Sequence, residues 1–213
     1  MLELFISSFI TFFVVIDPPG CAPIFAGLTT QTNAAHRRAM AIRAILVAAL
    51  ILFGFALFGE ALLRALGISL NAFKIAGGIM LFLIALEMVF EKRTERREDR
   101  AEKLKASEVP DISIFPMAMP MIAGPGSIAS VMLLMSQNTG WESNVAVLGA
   151  MVAILLLTLG ALLAAGPLMR LVGAKIEAVI SRLLGVLLGA LATQFVIDGI
   201  RASLVAVPAV TGH

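Results

Sequence analysis

Six stretches of this chain, roughly 2–29, 40–64, 70–90, 112–136, 145–170 and 178–200, run for twenty residues or more with almost no charge. That is about the length a helix needs to cross the hydrocarbon core of a bilayer. The runs are continuous and rich in Leu, Ala, Ile and Gly, without the ten-residue alternation of a membrane barrel. In lipid the backbone amides find partners only inside such helices, so the chain reads as an all-α membrane protein of six transmembrane helices. Composition agrees: 60% of the 213 residues are hydrophobic and 14% are charged, and mean hydropathy is +0.99. Thirteen of the charges fall between Glu91 and Glu108. The 91–110 segment, with seven basic and six acidic side chains, reads as one long solvated connector.

The same numbers exclude other classes. A net charge of +2 gives no footprint for nucleic acid. One cysteine, Cys21, makes neither a disulfide framework nor a cysteine metal cluster. The spans hold no HExxH, no Gly-x-Ser-x-Gly and no histidine, so neither an enzyme nor a metal or cofactor is expected. The first residues, MLELFISSFITFF, carry an acid and no basic region, and read as the first span rather than a cleavable signal. Thirteen of the 16 basic residues fall on the face that includes 91–110. The positive-inside rule places that loop in the cytoplasm and both termini of this multi-pass chain outside.

Two spans contain residues that a regular helix does not tolerate. The first has Asp17-Pro18-Pro19-Gly20-Cys21-Ala22-Pro23, and the fourth has Pro116 and then Pro120-Met121-Ile122-Ala123-Gly124-Pro125-Gly126-Ser127. Proline lacks the amide hydrogen and clashes with the preceding turn, so helices 1 and 4 are expected to break near the bilayer midplane. A shift of 106 residues lays Ile16, Pro19 and Gly20 on Ile122, Pro125 and Gly126, and Leu62, Arg64 and Gly67 on Leu168, Arg170 and Gly173. One residue later in the shift, Gly78 and Ala85 fall on Gly185 and Ala192. The chain therefore reads as a single membrane domain of two three-helix repeats, 1–106 and 107–213. Three is odd, so the second repeat enters the membrane from the opposite side and the pair is an inverted repeat.

Broken helices in corresponding places point to a solute site, because each second half-helix begins with unpaired amides and a partial positive charge. Structural kinking by Pro and Gly is the plainer alternative for either break alone. Asp17 is the most central charge, and an intramembrane carboxylate is costly enough to suggest function, with proton coupling the first candidate. Asp followed by Pro is also a good helix N-cap. Gly124 takes the equivalent cap position with Pro125 after it, leaving Gly126 and Ser127 open to an anion. The resulting expectation is a zwitterion with its carboxylate at 124–127 and its ammonium at Asp17, flanked by Pro18, Gly20 and Cys21. Glu87 and Gln194 occupy equivalent points of the two repeats and are secondary candidates. Glu60 and Arg64 form an i, i+4 pair at a span end, and Gly77, Gly78, Gly185 and Gly189 read as helix-packing positions.

Four motifs carry a family resemblance. Asp17-Pro18-Pro19-Gly20-Cys21-Ala22-Pro23-Ile24-Phe25 resembles the first-helix signature of the MarC family of bacterial inner-membrane proteins, usually Asp/Asn-Pro-Leu/Ile-Gly-Asn-x-Pro-Ile-Phe. Also similar are Gly77-Gly78-Ile79-Met80-Leu81-Phe82-Leu83-Ile84-Ala85, Ile122-Ala123-Gly124-Pro125-Gly126-Ser127-Ile128 and Gln194-Phe195-Val196-Ile197-Asp198-Gly199-Ile200-Arg201. Pro19 and Cys21 depart from the first signature, and a substrate contact at the usual Asn would make Cys21 a selectivity difference. The resemblance implies a six-span protein classed with small neutral amino acid transporters. Translocation of a lipid-linked carrier, and a regulatory or assembly role, are the alternatives to amino acid transport.

Overall fold

The computed structural model describes residues 1–30, 32–92, 96, 99, 111–138 and 140–205, with backbone alone for 167–178 and 205. Most of the charged 91–110 connector lies outside the described residues. Among the described residues every regular element is helical: α1 (Leu2–Ile16), α2 (Pro18–Leu28), α3 (Ala34–Ala65), α4 (Leu70–Val89), α5 (Ser113–Ile122), α6 (Pro125–Gln137), α7 (Trp141–Leu163) and α8 (Ala165–Val205). Five helical stretches are long and apolar enough to cross a membrane, one of them α1 and α2 together, and a sixth results if the bent pair α5–α6 is one span. Large apolar side chains point outward along these helices, with Leu50 at 75% and Phe58 at 68% exposure. In water such a surface would aggregate; in a bilayer it is the solvent-facing side.

Local chemistry sets the boundaries. Asn33 accepts the His36 N–H to start α3, so the arginine-bearing turns at 37–43 extend that helix ahead of its apolar part. Gly67, at φ 70, ends it by letting Ile68 N–H reach Leu63 O, the wrap that favours glycine. Ser69 then accepts the Ala72 N–H and starts α4. The fifth span differs from the sequence expectation of 145–170. α7 closes at Leu163, with Ala164 N–H bonded to Gly160 O, and Pro167 falls in the first turn of α8. Proline is at home in a first turn, where no intrahelical acceptor is needed. The Gly-Pro pair thus opens a helix and does not lie inside the preceding one.

α5 is irregular for the same reason. Phe115 and Met119, each followed by proline, take extended dihedrals near φ −125, ψ 123 and φ −132, ψ 126, the conformation proline imposes on its predecessor. The backbone recovers two wide turns, Met117 N–H to Ile112 O and Ala123 N–H to Ala118 O. The axis then turns by 51° into α6.

α4 packs chiefly on α8, α1 on α7, and α3 on α5, α6 and α7. A Cβ on Gly78 would stand 2.8 Å from Ala192 O, and one on Gly185 would stand 3.1 Å from Ala85 O. Further along, Gly199 meets Asn71 O and Ile75. The partners descend α8 as they ascend α4, so the two helices are antiparallel, with backbones in contact through glycine. The main core gathers Phe12, Ile16, Cys21, Phe25, Leu52, Met117, Ile122 and Ile154, and a second cluster joins Val15, Leu81, Ala85 and Leu133 to Leu188 and Ala192.

Candidate functional site: two helix starts of unlike chemistry

α1 ends and α2 begins at one residue. Asp17 is left-handed, φ 59 and ψ 66, a region few side chains other than Asn and Asp enter at small cost. Its N–H closes α1 on Phe13 O, and its carbonyl accepts the Cys21 N–H. Its Oδ1 accepts the Gly20 N–H at 3.1 Å. Pro18 and Pro19 have no amide hydrogen to offer. The start of α2 therefore has every amide of its first turn either absent or bonded. Asp17 acts as the expected N-cap, and is only 2% exposed.

α6 begins with the same proline placement and a different outcome. Gly124 is extended at the cap, Pro125 follows, and no side chain caps the turn. Ile128 N–H returns to Gly124 O, which leaves the amides of Gly126 and Ser127 without an acceptor inside the helix. A Cβ on Gly124 would lie 2.3 Å from Pro120 O, so the turn is possible only with glycine there.

A corresponding bond spans each interruption. Cys21 Sγ donates to Ile16 O at 3.4 Å, and Ser127 Oγ donates to Ile122 O at 2.7 Å. Each reaches back five residues to a buried carbonyl on the far side of the break. The two pairs are related by 106 residues, the shift that aligns the prolines. Cys21 thus makes at the first helix start the bond that Ser127 makes at the second, and its thiol has a local structural partner. The Ser127 hydroxyl hydrogen is likewise committed to Ile122, so the hydroxyl is not the further donor to an anion that the sequence suggests.

A cavity of about 220 Å³ opens at the second start, lined by Gly124, Gly126 and Ser127 with Glu87 and Arg96. Val15, Ile84 and Met121 form its apolar wall. Glu87 and Arg96 pair across it at 2.7 Å, with Glu87 the less exposed of the two. The structure therefore joins Gly124, Gly126, Ser127 and Glu87. Asp17, Pro18, Gly20 and Cys21 do not line this cavity; they are buried in the packing around the first start. Gln194 is exposed on α8 and donates to Asp198 at 2.9 Å, away from both starts. Arg96 was missed by sequence reasoning. It lies nine residues from Glu87 in a run of mixed charge, with no helical spacing to tie the two together.

Two further ion pairs tie the cavity side of the molecule. Arg182 of α8 meets Glu91, and Arg43 of α3 meets Asp111. Partial burial pushes the Asp111 carboxyl up, but hydrogen bonds from Ser113 and the Arg43 guanidinium outweigh this and hold it below the usual value.

The alignment of the whole chain decides its family. A family model described as MarC family integral membrane protein matches residues 2–204. The chain belongs to the MarC family. A UPF0056 membrane protein of Methanocaldococcus jannaschii is 37% identical over 95% of this chain and 98% of its own length. The UPF0056 inner membrane protein YhgN of Escherichia coli K12 is 36% identical over 92% of this chain and 95% of its own, and YhcE of the same organism is 33% identical over 93% and 92%. No solved structure gives a significant match. The MarC chain is thus a multi-pass integral membrane protein; its relatives are named membrane proteins, and YhgN an inner membrane protein.

Proposed function

We propose that this MarC protein is a secondary transporter of small zwitterionic solutes, neutral amino acids foremost, and not an enzyme. The carrying observation is the equivalence of the two helix starts: one sealed by Asp17, the other presenting free amides to a cavity. An amino acid carboxylate would accept from the Gly126 and Ser127 amides, which with the dipole of α6 and the Arg96 guanidinium favour negative charge. Its ammonium would face Glu87, the carboxylate that lines the same space. Asp17 stands behind the first start, as the capping group and the candidate for coupling to protons.

The helix pairings support two inverted repeats, 1–106 and 107–213, because exchanging the halves turns each main contact into another. α4 on α8 maps onto itself, α1 on α7 onto α5 on α3, and α1 on α6 onto α5 on α2. Interrupted helices in corresponding positions of inverted repeats are the usual setting of a transporter's solute site near the midplane. The distribution of Arg and Lys supports a cytoplasmic 91–110 segment and outward termini.

Uptake of radiolabelled neutral amino acids into proteoliposomes tests the reading. Transport should fall at least about tenfold in Glu87→Gln if an ammonium loses a charged partner. Asp17→Asn should keep binding and lose the pH dependence of uptake. Unchanged uptake in the first and unchanged pH dependence in the second would sink the proposal.

A second reading has its own observation. An apolar groove of about 450 Å³ runs between α1 and α8, lined by Ile6, Ile10, Val14, Leu187 and Leu191 among others. That lining suits an acyl or isoprenoid chain better than an amino acid, and favours a lipid-linked carrier as cargo. Thermal stabilisation of the purified protein by polyprenyl phosphate, with no response to amino acids, would select it.

A further inference from the structure

Glu87 and Arg96 pair at 2.7 Å in the cavity that also holds the free amides of Gly126 and Ser127. The two partners differ in exposure: the Glu87 side chain is 23% exposed and that of Arg96 63%. Parting them leaves a largely hydrated guanidinium on one side. On the other it leaves a partly buried carboxylate among the apolar walls of Val15, Ile84 and Met121. A pair with one so exposed partner is held weakly, whereas a carboxylate in such surroundings is unfavourable without a cation beside it. Glu87 thus demands a cation, and Arg96 is a cation that leaves at little cost.

Arg96 is also kept close. Glu91, five residues before it, pairs with Arg182 of α8 and follows directly on the end of α4. Five residues span at most about 18 Å, so a released guanidinium stays near the cavity. A group tethered at this range acts at an effective concentration on the order of millimolar. It competes with a dissolved cation for Glu87 without shutting that cation out.

We propose that a solute enters this cavity by exchange of ion pairs, its ammonium taking the place of Arg96 at Glu87 and the released guanidinium taking its carboxylate beside the Gly126 and Ser127 amides, so that Arg96 selects a zwitterion over an amine or an acid alone. This rests on the binding half of the transport reading and not on translocation. The charges decide the preference. An amine alone breaks the Glu87–Arg96 pair and leaves the guanidinium without a partner. A carboxylate alone shares Arg96 with Glu87 and lies beside a like charge. Only a small molecule that carries both charges leaves all four groups paired.

The test uses the full chain in lipid nanodiscs, with Ile84→Cys as the reporter and methyl methanethiosulfonate, an uncharged reagent, as the label. Ile84 lines the cavity, and the native Cys21 is the only cysteine and fully buried, so the unaltered chain sets the blank. Protection of position 84 is titrated with glycine, ethylamine and acetate at fixed pH and ionic strength. Glycine should protect at a concentration at least about tenfold lower than either of the others. Arg96→Ala should lower the half-protecting concentration of ethylamine at least about threefold, because its competitor is gone, and raise that of acetate at least about threefold. Arg96→Lys should restore the native order. A purely structural role for Arg96 would shift both in the same sense. Should Ile84→Cys not fold, Met121→Cys in the same cavity replaces it. No protection by any of the three, glycine no better than acetate or ethylamine, or an absence of opposite shifts in Arg96→Ala would each overturn the proposal. Opposite shifts without amino acid uptake would keep the exchange and reject transport; uptake without the shifts would do the reverse.

Discussion

Asp17 separates a structural role from a functional one if its substitutions are chosen by backbone as well as by charge. Three things happen at this residue: a left-handed φ of 59, a carboxylate bond to the Gly20 amide, and a charge buried in a span. Asn keeps the first two and removes the third. Gly keeps the first, at no steric cost, and loses the cap; replacing a cap by Gly costs only a few tenths of a kcal/mol. Ala loses the cap, about 1 kcal/mol, and must hold a left-handed conformation that costs about 1–2 kcal/mol more. The expected order of stability is Asn and Gly close to the native chain, and Ala lower by about 2–3 kcal/mol. Thermal unfolding of the purified variants, followed by the fluorescence of the single Trp141 or by loss of the monodisperse peak, gives this ranking. If Ala proves as stable as Asn, the cap and dihedral argument is wrong. If Asn is strongly destabilised, and Gly and Ala at least as much, the charge itself holds the fold, and the coupling role is unnecessary.

Three other outcomes follow from the geometry. Ser127→Ala should lose about 1–3 kcal/mol by leaving Ile122 O buried without a donor. Ser127→Cys should recover much of it, as Cys21 serves Ile16; equal stability of Ala and Cys in a melting assay would refute the bond's importance. Gly124→Ala should cost more than either, because backbone and not a flexible side chain stands 2.3 Å away; a native-like melting temperature would refute the turn. Asp111 has a folded-state pKa below its unfolded one, so its contribution to stability is present above about pH 4 and lost as pH falls through the lower folded value. Asp111→Asn should flatten that part of the acid limb, and an unchanged limb would contradict the Arg43–Asp111 pairing.

Much of the fold was legible because lipid removes choices. An apolar run of twenty residues has one common solution, and each of the six runs falls on helix, although α3 begins at Ala34 rather than 40 and α8 at Ala165 rather than 178. The boundary that slipped shows what periodicity cannot resolve. Gly166-Pro167 fits a helix interior by hydropathy and a first turn by hydrogen bonding, and only the second counts amide donors. The sites divide along the same line. Asp17 as a cap, and Gly124 as a cap without a carboxylate, follow from which residues own an amide hydrogen. The partner of the open start did not follow. Glu87 has no helical spacing to Gly126, yet it shares the cavity, because α4 lies alongside α6 and brings Ile84 against Gly126. Long-range packing of this kind leaves no signature in local spacing. The bond from Cys21 to Ile16 became meaningful only beside its counterpart at Ser127.

The antiparallel seating of α4 on α8 carries a consequence for how such a chain arises. Gly78 receives the backbone of α8 at Ala192, and Gly185 receives the backbone of α4 at Ala85, so both sides of the seam solve one packing problem. Such a surface is self-complementary, like the face of a two-fold dimer. On the proposed reading of two inverted repeats, a shorter ancestor of three helices, inserted in both orientations, would have carried both halves of this seam in one sequence. After duplication and fusion, the two glycines would be free to drift apart only where the opposing backbone moved with them.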